Sequence, residues 1–184
     1  MASEGVQSTL LRLRMTIAET RGVQPVSLEV GDPAPDFGLP ALLAGVKGRF
    51  RLSEQRGKKH VVLAFYPFNW AKVSAGQLSQ YQAEREKIEA LGAETVAICV
   101  ESIMNTTAWE REIGPFDFPI CSDFWPHGEV AEKYGVLQRE GKTAGACGRA
   151  IFVVDKNGTV LFRKSYGVEE APKLDEILEV LRGI

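Results

Sequence analysis

The chain has 184 residues, 45% apolar and 25% charged, with a formal net charge of -2. That length suits one domain able to bury a core without disulfide or metal staples. The charge balance favours neither nucleic acid nor an anionic membrane surface, and no apolar run is long enough to span a bilayer.

Residues 1–25 read as an N-terminal extension and 26–184 as the domain. In the extension, Leu10, Leu11, Leu13, Met15 and Ile17 are interrupted by Arg12, Arg14 and Glu19. A secretory leader needs an unbroken apolar stretch before a small-residue cleavage site, and this is not one. The stretch reads as a short amphipathic helix or a flexible extension, and an exposed apolar face there could pack on a partner subunit. From Val26 the chain reads as alternating strands and helices. Pro33, Pro35 and Gly38 punctuate an extended leading segment in which no helix is expected. His60 to Tyr66 (HVVLAFY) is a continuous β-branched and aromatic run, the mark of a strand buried on both faces, and Pro67 ends it. From about Ser74 to Leu91, Leu78, Tyr81, Ile88 and Leu91 recur at near-helical spacing until Gly92 stops the run.

Glu94 to Val100 is a second buried strand. Thr107 and Glu110 have capping-box spacing at the start of a helix carrying Trp109 and Ile113. Phe118 to Cys121 reads as a short strand, followed by a loop over 122–128 and a helix near Glu129 to Tyr134. Arg149 to Asp155 and Thr159 to Arg163 flank Lys156-Asn157-Gly158, and Asn-Gly between two strands signals a hairpin. A last helix covers Ala171 to Leu181. This order predicts an α/β fold: a thioredoxin-like α/β/α sandwich with a central mixed sheet.

The three cysteines, Cys99, Cys121 and Cys147, form an odd set without C-x-x-C spacing. They make no disulfide framework, and with only His60 and His127 beside them no zinc site. No metal and no cofactor are expected, and a reducing, cytoplasmic setting fits.

The stretch Tyr66 to Ser74 (YPFNWAKVS) resembles the active-site segment of the peroxiredoxins, Pro-x-x-x-Thr-x-x-Cys, at the end of a core strand and the start of a helix. Val30 to Phe37 looks like that family's leading segment. Phe118 to Gly128 (FPICSDFWPHG) is similar to the loop of its one-cysteine and AhpE-like members, and Arg149 to Asp155 (RAIFVVD) matches its Arg-x-x-Phe-Val-x-Asp strand. The resemblance, to the AhpC/TSA, AhpE-like and bacterioferritin-comigratory-like peroxiredoxins, runs from about Leu28 to the C-terminus. It implies a thiol-dependent reductase of hydroperoxides. A cysteine thiolate attacks the O–O bond, a helix N-terminus and an arginine favour the thiolate, and a threonine hydroxyl orients the peroxide.

Carried over, Pro67 and Arg149 match, whereas Ala71 stands at the threonine position and Ser74 at the position of the peroxidatic cysteine. An alcohol is a far weaker acid than a thiol, and only Lys72 lies close in sequence as a base, so the expectation is a catalytically silent site. Ser79 occupies the position where some relatives carry a resolving cysteine. Ser74 also reads as a helix N-cap, with Gln77 at capping-box spacing. Arg149 reads either as an ordinary ion-paired arginine or as the inherited cation. Two readings keep an enzyme: a cysteine replaced to give Ser74, or a nucleophile relocated to Cys147, whose side chain shares a face with Arg149 if the strand already begins there. Cys99 and Cys121 read as core packing. The expected partners are a hydroperoxide or small anion in the pocket, a second copy forming a homodimer, and a thiol reductant if the site is active. Trp70, Phe124 and Trp125 lie on loops where such a dimer contact would form, with burial over the core as the other reading. A plain structural or holdase role is a third possibility.

Overall fold

The computed structural model describes residues 28–184; the expectations for the extension over 1–25 lie outside the described residues. One mixed sheet of seven strands organises the fold. Its strands are β1 (Gly38–Leu43), β2 (Val46–Arg51), β3 (His60–Phe65), β4 (Ala93–Cys99), β5 (Ile120–Ser122), β6 (Arg149–Val154) and β7 (Val160–Tyr166), in the spatial order β2-β1-β5-β4-β3-β6-β7. β3, β4 and β5 run parallel, and every other pairing is antiparallel. The β-branched run at β3 lies at the centre because both its faces are apolar: Val61, Leu63 and Phe65 enter one core, and Val62 and Ala64 the other.

The helices are α1 (Lys72–Ala83), α2 (Arg85–Ala90), α3 (Ile103–Ile113), α4 (Glu129–Lys133) and α5 (Leu174–Arg182). Leu78 and Tyr81 of α1, Ile88 of α2, Trp109 of α3 and the Leu174–Leu181 stripe of α5 pack on one face of the sheet. The opposite face receives Val130 and Ala131 of α4 together with Tyr134 and Phe37. Layers of helix thus lie on both faces, thickly on one and thinly on the other.

Three local expectations are corrected. The helix expected from Ser74 to Leu91 is two helices parted at Glu84 (φ -105°, ψ 10°). The N-cap of α1 is Ala71, in extended conformation and without a side-chain cap bond; Ser74 is the third helical residue and has no capping role. Ser102, not Thr107, caps α3: its Oγ accepts from the Asn105 N–H at 3.2 Å, while the Thr107 hydroxyl inside the helix donates back to the Ile103 carbonyl at 2.6 Å. After the leading segment, β1 and β2 form a hairpin that no sequence expectation covers. Ala44 and Gly45 turn it, with φ of 46° and 77°, the pair of left-handed residues that a two-residue hairpin turn requires.

Candidate functional site

β3 ends at Phe65, and the chain crosses the C-terminal end of the parallel strands before starting α1. The crossing is pinned from below. Tyr66 Oη donates to Asn69 Oδ1 at 2.8 Å, and Asn69 Nδ2 donates to Thr106 Oγ1 at 3.1 Å, all fully buried. Pro67 sits buried at the bend. This loop fixes where α1 begins, and its first turn leaves the N–H groups of Lys72, Val73 and Ser74 without intrahelical acceptors.

Ser74 and Arg149, 75 residues apart, meet under that first turn. Arg149 opens β6 and reaches across to α1, where Nη2 donates to Ser74 Oγ at 3.4 Å and Nη1 donates to Gln77 Oε1. Its other edge forks onto the Val168 carbonyl, from Nε at 3.3 Å and Nη2 at 2.9 Å, fastening the segment after β7. Gln77 in turn donates to Tyr81 Oη at 3.2 Å. Ser74 and Arg149 are 0% and 1% exposed, and among the described residues no carboxylate lies within ion-pair distance of the guanidinium. Burial lowers the Arg149 pKa below the ordinary guanidinium range, against the opposing pull of Tyr81 and the Glu169 carboxylate.

Of the sequence candidates, Ser74 and Arg149 meet in one contact, while Ala71 is the N-cap of the same helix and Pro67 lies in the loop that leads to it. Gln77 and Val168 join that contact through Arg149. In sequence Gln77 signals only a cap partner of Ser74; Val168 contributes a carbonyl, which carries no signal in sequence. The arginine is buried and, among the described residues, makes no ion pair.

Cys147 does not join it. β6 begins at Arg149, and the two-residue alternation that would have set the two side chains on one face does not extend back to Cys147. Cys147 is fully buried in the core of the opposite face, its Sγ 3.9 Å from the Ile98 carbonyl. Burial pushes its thiol well above the ordinary range, and does the same to Cys121; Cys99 is pushed up to about 11. None of the three is poised as a thiolate. Among the described residues no cluster of His, Cys, Asp or Glu could hold a metal ion, and no helix is long and apolar enough to cross a membrane.

The loops around the site carry exposed aromatics, so the reading of burial over the core does not hold. Trp70 is exposed, with Nε1 donating to Asn105 Oδ1 at 2.7 Å. Phe124 and Trp125 are exposed in the loop after β5, each against the His127 ring. Asp123 anchors that loop: buried, it accepts from the Val130 and Ala131 N–H groups at 3.2 and 2.8 Å.

A central mixed sheet, with an active-site-like turn at the end of a core strand, is the thioredoxin-like architecture. Solved structures agree. The reduced 2-Cys peroxiredoxin of Plasmodium vivax superposes with a TM-score of 0.77 over 83% of this chain and 80% of its own, at 24% identity. AhpC of Mycobacterium tuberculosis does so with a TM-score of 0.75 over 85% and 93%, at 22% identity. In sequence, alkyl hydroperoxide reductase E of Mycobacterium tuberculosis is 36% identical over 138 residues, 73% of this chain and 84% of its own length. Peroxiredoxin-2 of Rattus norvegicus is 30% identical over 159 residues, 83% and 76%. The AhpC/TSA family profile matches residues 30–163. The chain belongs to the AhpC/TSA family of peroxiredoxins.

Proposed function

We propose that this peroxiredoxin has given up thiol peroxidase chemistry at its ancestral site and acts by binding, as a homodimer or as a partner subunit in a reducing cytoplasm. The observation that carries the reading is the Ser74–Arg149 contact. The cation is paired with an alcohol where the family resemblance puts a thiolate, and Ala71 offers no hydroxyl at the threonine position. Among the described residues the side-chain hydrogen bond of the Ser74 hydroxyl is to a guanidinium, which cannot serve as the base that takes its proton. The exposed Trp70, Phe124 and Trp125 support a dimer contact across the loops of this end of the sheet. Residues 26–184 serve as the domain, and 1–25 as an extension to it. A small anion or a hydroperoxide is the ligand that this reading allows beside the arginine, which makes no ion pair among the described residues.

Peroxide consumption is the test, with a thiol reductant supplied, on the protein beside the Ser74→Cys, Ala71→Thr double variant. A silent protein and an active double variant support the reading. Turnover by the unmodified protein sinks it, and Cys147→Ser then decides whether the nucleophile has moved. A gene encoding cysteine at position 74 favours the second reading, an active hydroperoxide reductase whose cysteine was replaced.

A further inference from the structure

β2 closes the sheet at one edge, and its two faces differ in kind. It pairs only with β1, in a register that sets Pro40 opposite Arg49. Pro40 has no N–H, so that pair cannot exchange backbone hydrogen bonds; the Leu52 N–H, which donates to the Phe37 carbonyl at 3.1 Å, sets the same alternation. The backbone N–H and C=O groups of Lys47, Arg49 and Arg51 therefore point away from β1, and among the described residues they have no hydrogen-bond partner. The side chains alternate too. Phe50 enters the core beneath α4, and Val46 and Gly48 share its face. An open groove of about 480 Å³ lies over Leu43, Val46 and Phe50 there, bordered by Lys47 and Arg49. Leu43 and Val46 are 47% and 70% exposed, and a side chain built at Gly48 would meet nothing within 4 Å. The cationic ends turn to the other face: Lys47 Nζ lies 3.2 Å from Met104 Sδ, and Arg49 donates to the Gly38 carbonyl. Neither makes an ion pair among the described residues, while Arg51 lies 3.8 Å from Asp36. Glu94, also on the groove, is already matched by Lys59 at 3.8 Å.

We propose that β2 takes up an extended segment of a partner protein in which acidic and apolar side chains alternate, adding it to the sheet as a further strand. The main chain supplies the bonds, since Lys47, Arg49 and Arg51 offer free donors and acceptors at the spacing of a strand. The side chains select the occupant. A segment paired there turns every second side chain toward Leu43, Val46 and the gap at Gly48, and the others toward the cations of β2. Apolar residues suit the first set and carboxylates the second. A second copy of this chain does not fit: pairing β2 with itself through residues 47, 49 and 51 stands cation opposite cation. Charges on an edge strand guard against such self-pairing, and the same charges make this edge selective for an acidic strand. The inference does not depend on the reading of the Ser74 site.

The full chain with the peptide Val-Glu-Val-Glu-Val-Glu-Val as probe tests it, by fluorescence anisotropy of the labelled peptide and by residue-resolved amide exchange. Binding is expected to slow exchange at Lys47, Arg49 and Arg51 at least about tenfold and to change Gly48 and Phe50, which bond to β1, far less. Lys47→Glu with Arg49→Glu should weaken the probe at least about tenfold and transfer binding to Val-Lys-Val-Lys-Val-Lys-Val, a gain that also shows the variant folded. Exchange unchanged at those three amides overturns the proposal. Equal affinity for Val-Val-Val-Val-Glu-Glu-Glu, the same composition without alternation, does so too. So does protection of the same amides without peptide that grows with protein concentration alongside a dimer's mass, which would put a second copy at this edge instead.

Discussion

Ser74→Cys places a thiol where Oγ now lies 3.4 Å from Arg149 Nη2, and two effects then compete. Burial raises a thiol, and the fully buried Cys99, pushed up from 9.0 to about 11, shows by how much in this protein. Against that, a unit cation at such a distance attracts a thiolate by about 5 kcal/mol at an effective dielectric of about 20. At 1.36 kcal/mol per pH unit that is more than about three pH units, so the cation outweighs burial and the introduced thiol titrates near about pH 7. Its folded pKa then lies below its unfolded value of about 8.5. The added stability is therefore fully present above that value and is lost as pH falls through the folded pKa. Urea unfolding of the variant and the unmodified protein, compared between about pH 6 and about pH 9, should show a difference growing by about 2 kcal/mol toward the alkaline end. The ultraviolet absorbance of the thiolate reports the same titration directly. Cys99, Cys121 and Cys147 stay protonated across that window because burial raises all three. A stability difference flat with pH, with the new thiol titrating at or above its ordinary value, would refute the claim that the Arg149 cation favours an anion at position 74.

Ala71→Thr gives α1 the side-chain cap it lacks and should stabilise the protein by about 1 kcal/mol, read as a rise in thermal midpoint. Arg149→Met removes a buried charge but orphans Gln77 Oε1 and the Val168 carbonyl; a net loss of about 2 kcal/mol in urea unfolding is expected, with faster exchange around Val168. Asp123 is a carboxyl whose pKa burial raises. Its penalty is absent below the ordinary carboxylate range and grows as pH rises through the folded pKa, so Asp123→Asn should flatten the loss of stability on that rise. An unchanged pH profile would show that Asp123 is ionised in the folded protein as easily as in the unfolded chain.

Local composition was enough to read the central strands, because a strand buried on both faces must be apolar throughout. His60–Phe65, Ala93–Cys99 and Arg149–Val154 are legible for that reason, as is the hairpin past Asn157-Gly158. The β1–β2 hairpin escaped because β2 is polar along most of its length and its turn is Ala44-Gly45, with an alanine where asparagine or aspartate would signal left-handed backbone. Cap positions misled for a related reason: Ser74-x-x-Gln77 and Thr107-x-x-Glu110 have the right spacing, but spacing cannot tell a cap from a residue inside the helix. At the site, the motif resemblance picked out Pro67, Ala71, Ser74 and Arg149 in the linear chain. That Arg149 is wholly buried, bound by Gln77 and a carbonyl at Val168 and by no carboxylate, follows only from the crossing of β6 beneath α1. Likewise only the folded backbone separates Cys147 from Arg149, since the strand alternation starts at Arg149 and the thiol lies in the core on the other side of the sheet. Residue type sets what chemistry a side chain can do, but contacts between segments 75 residues apart set its charge environment and whether it can do it.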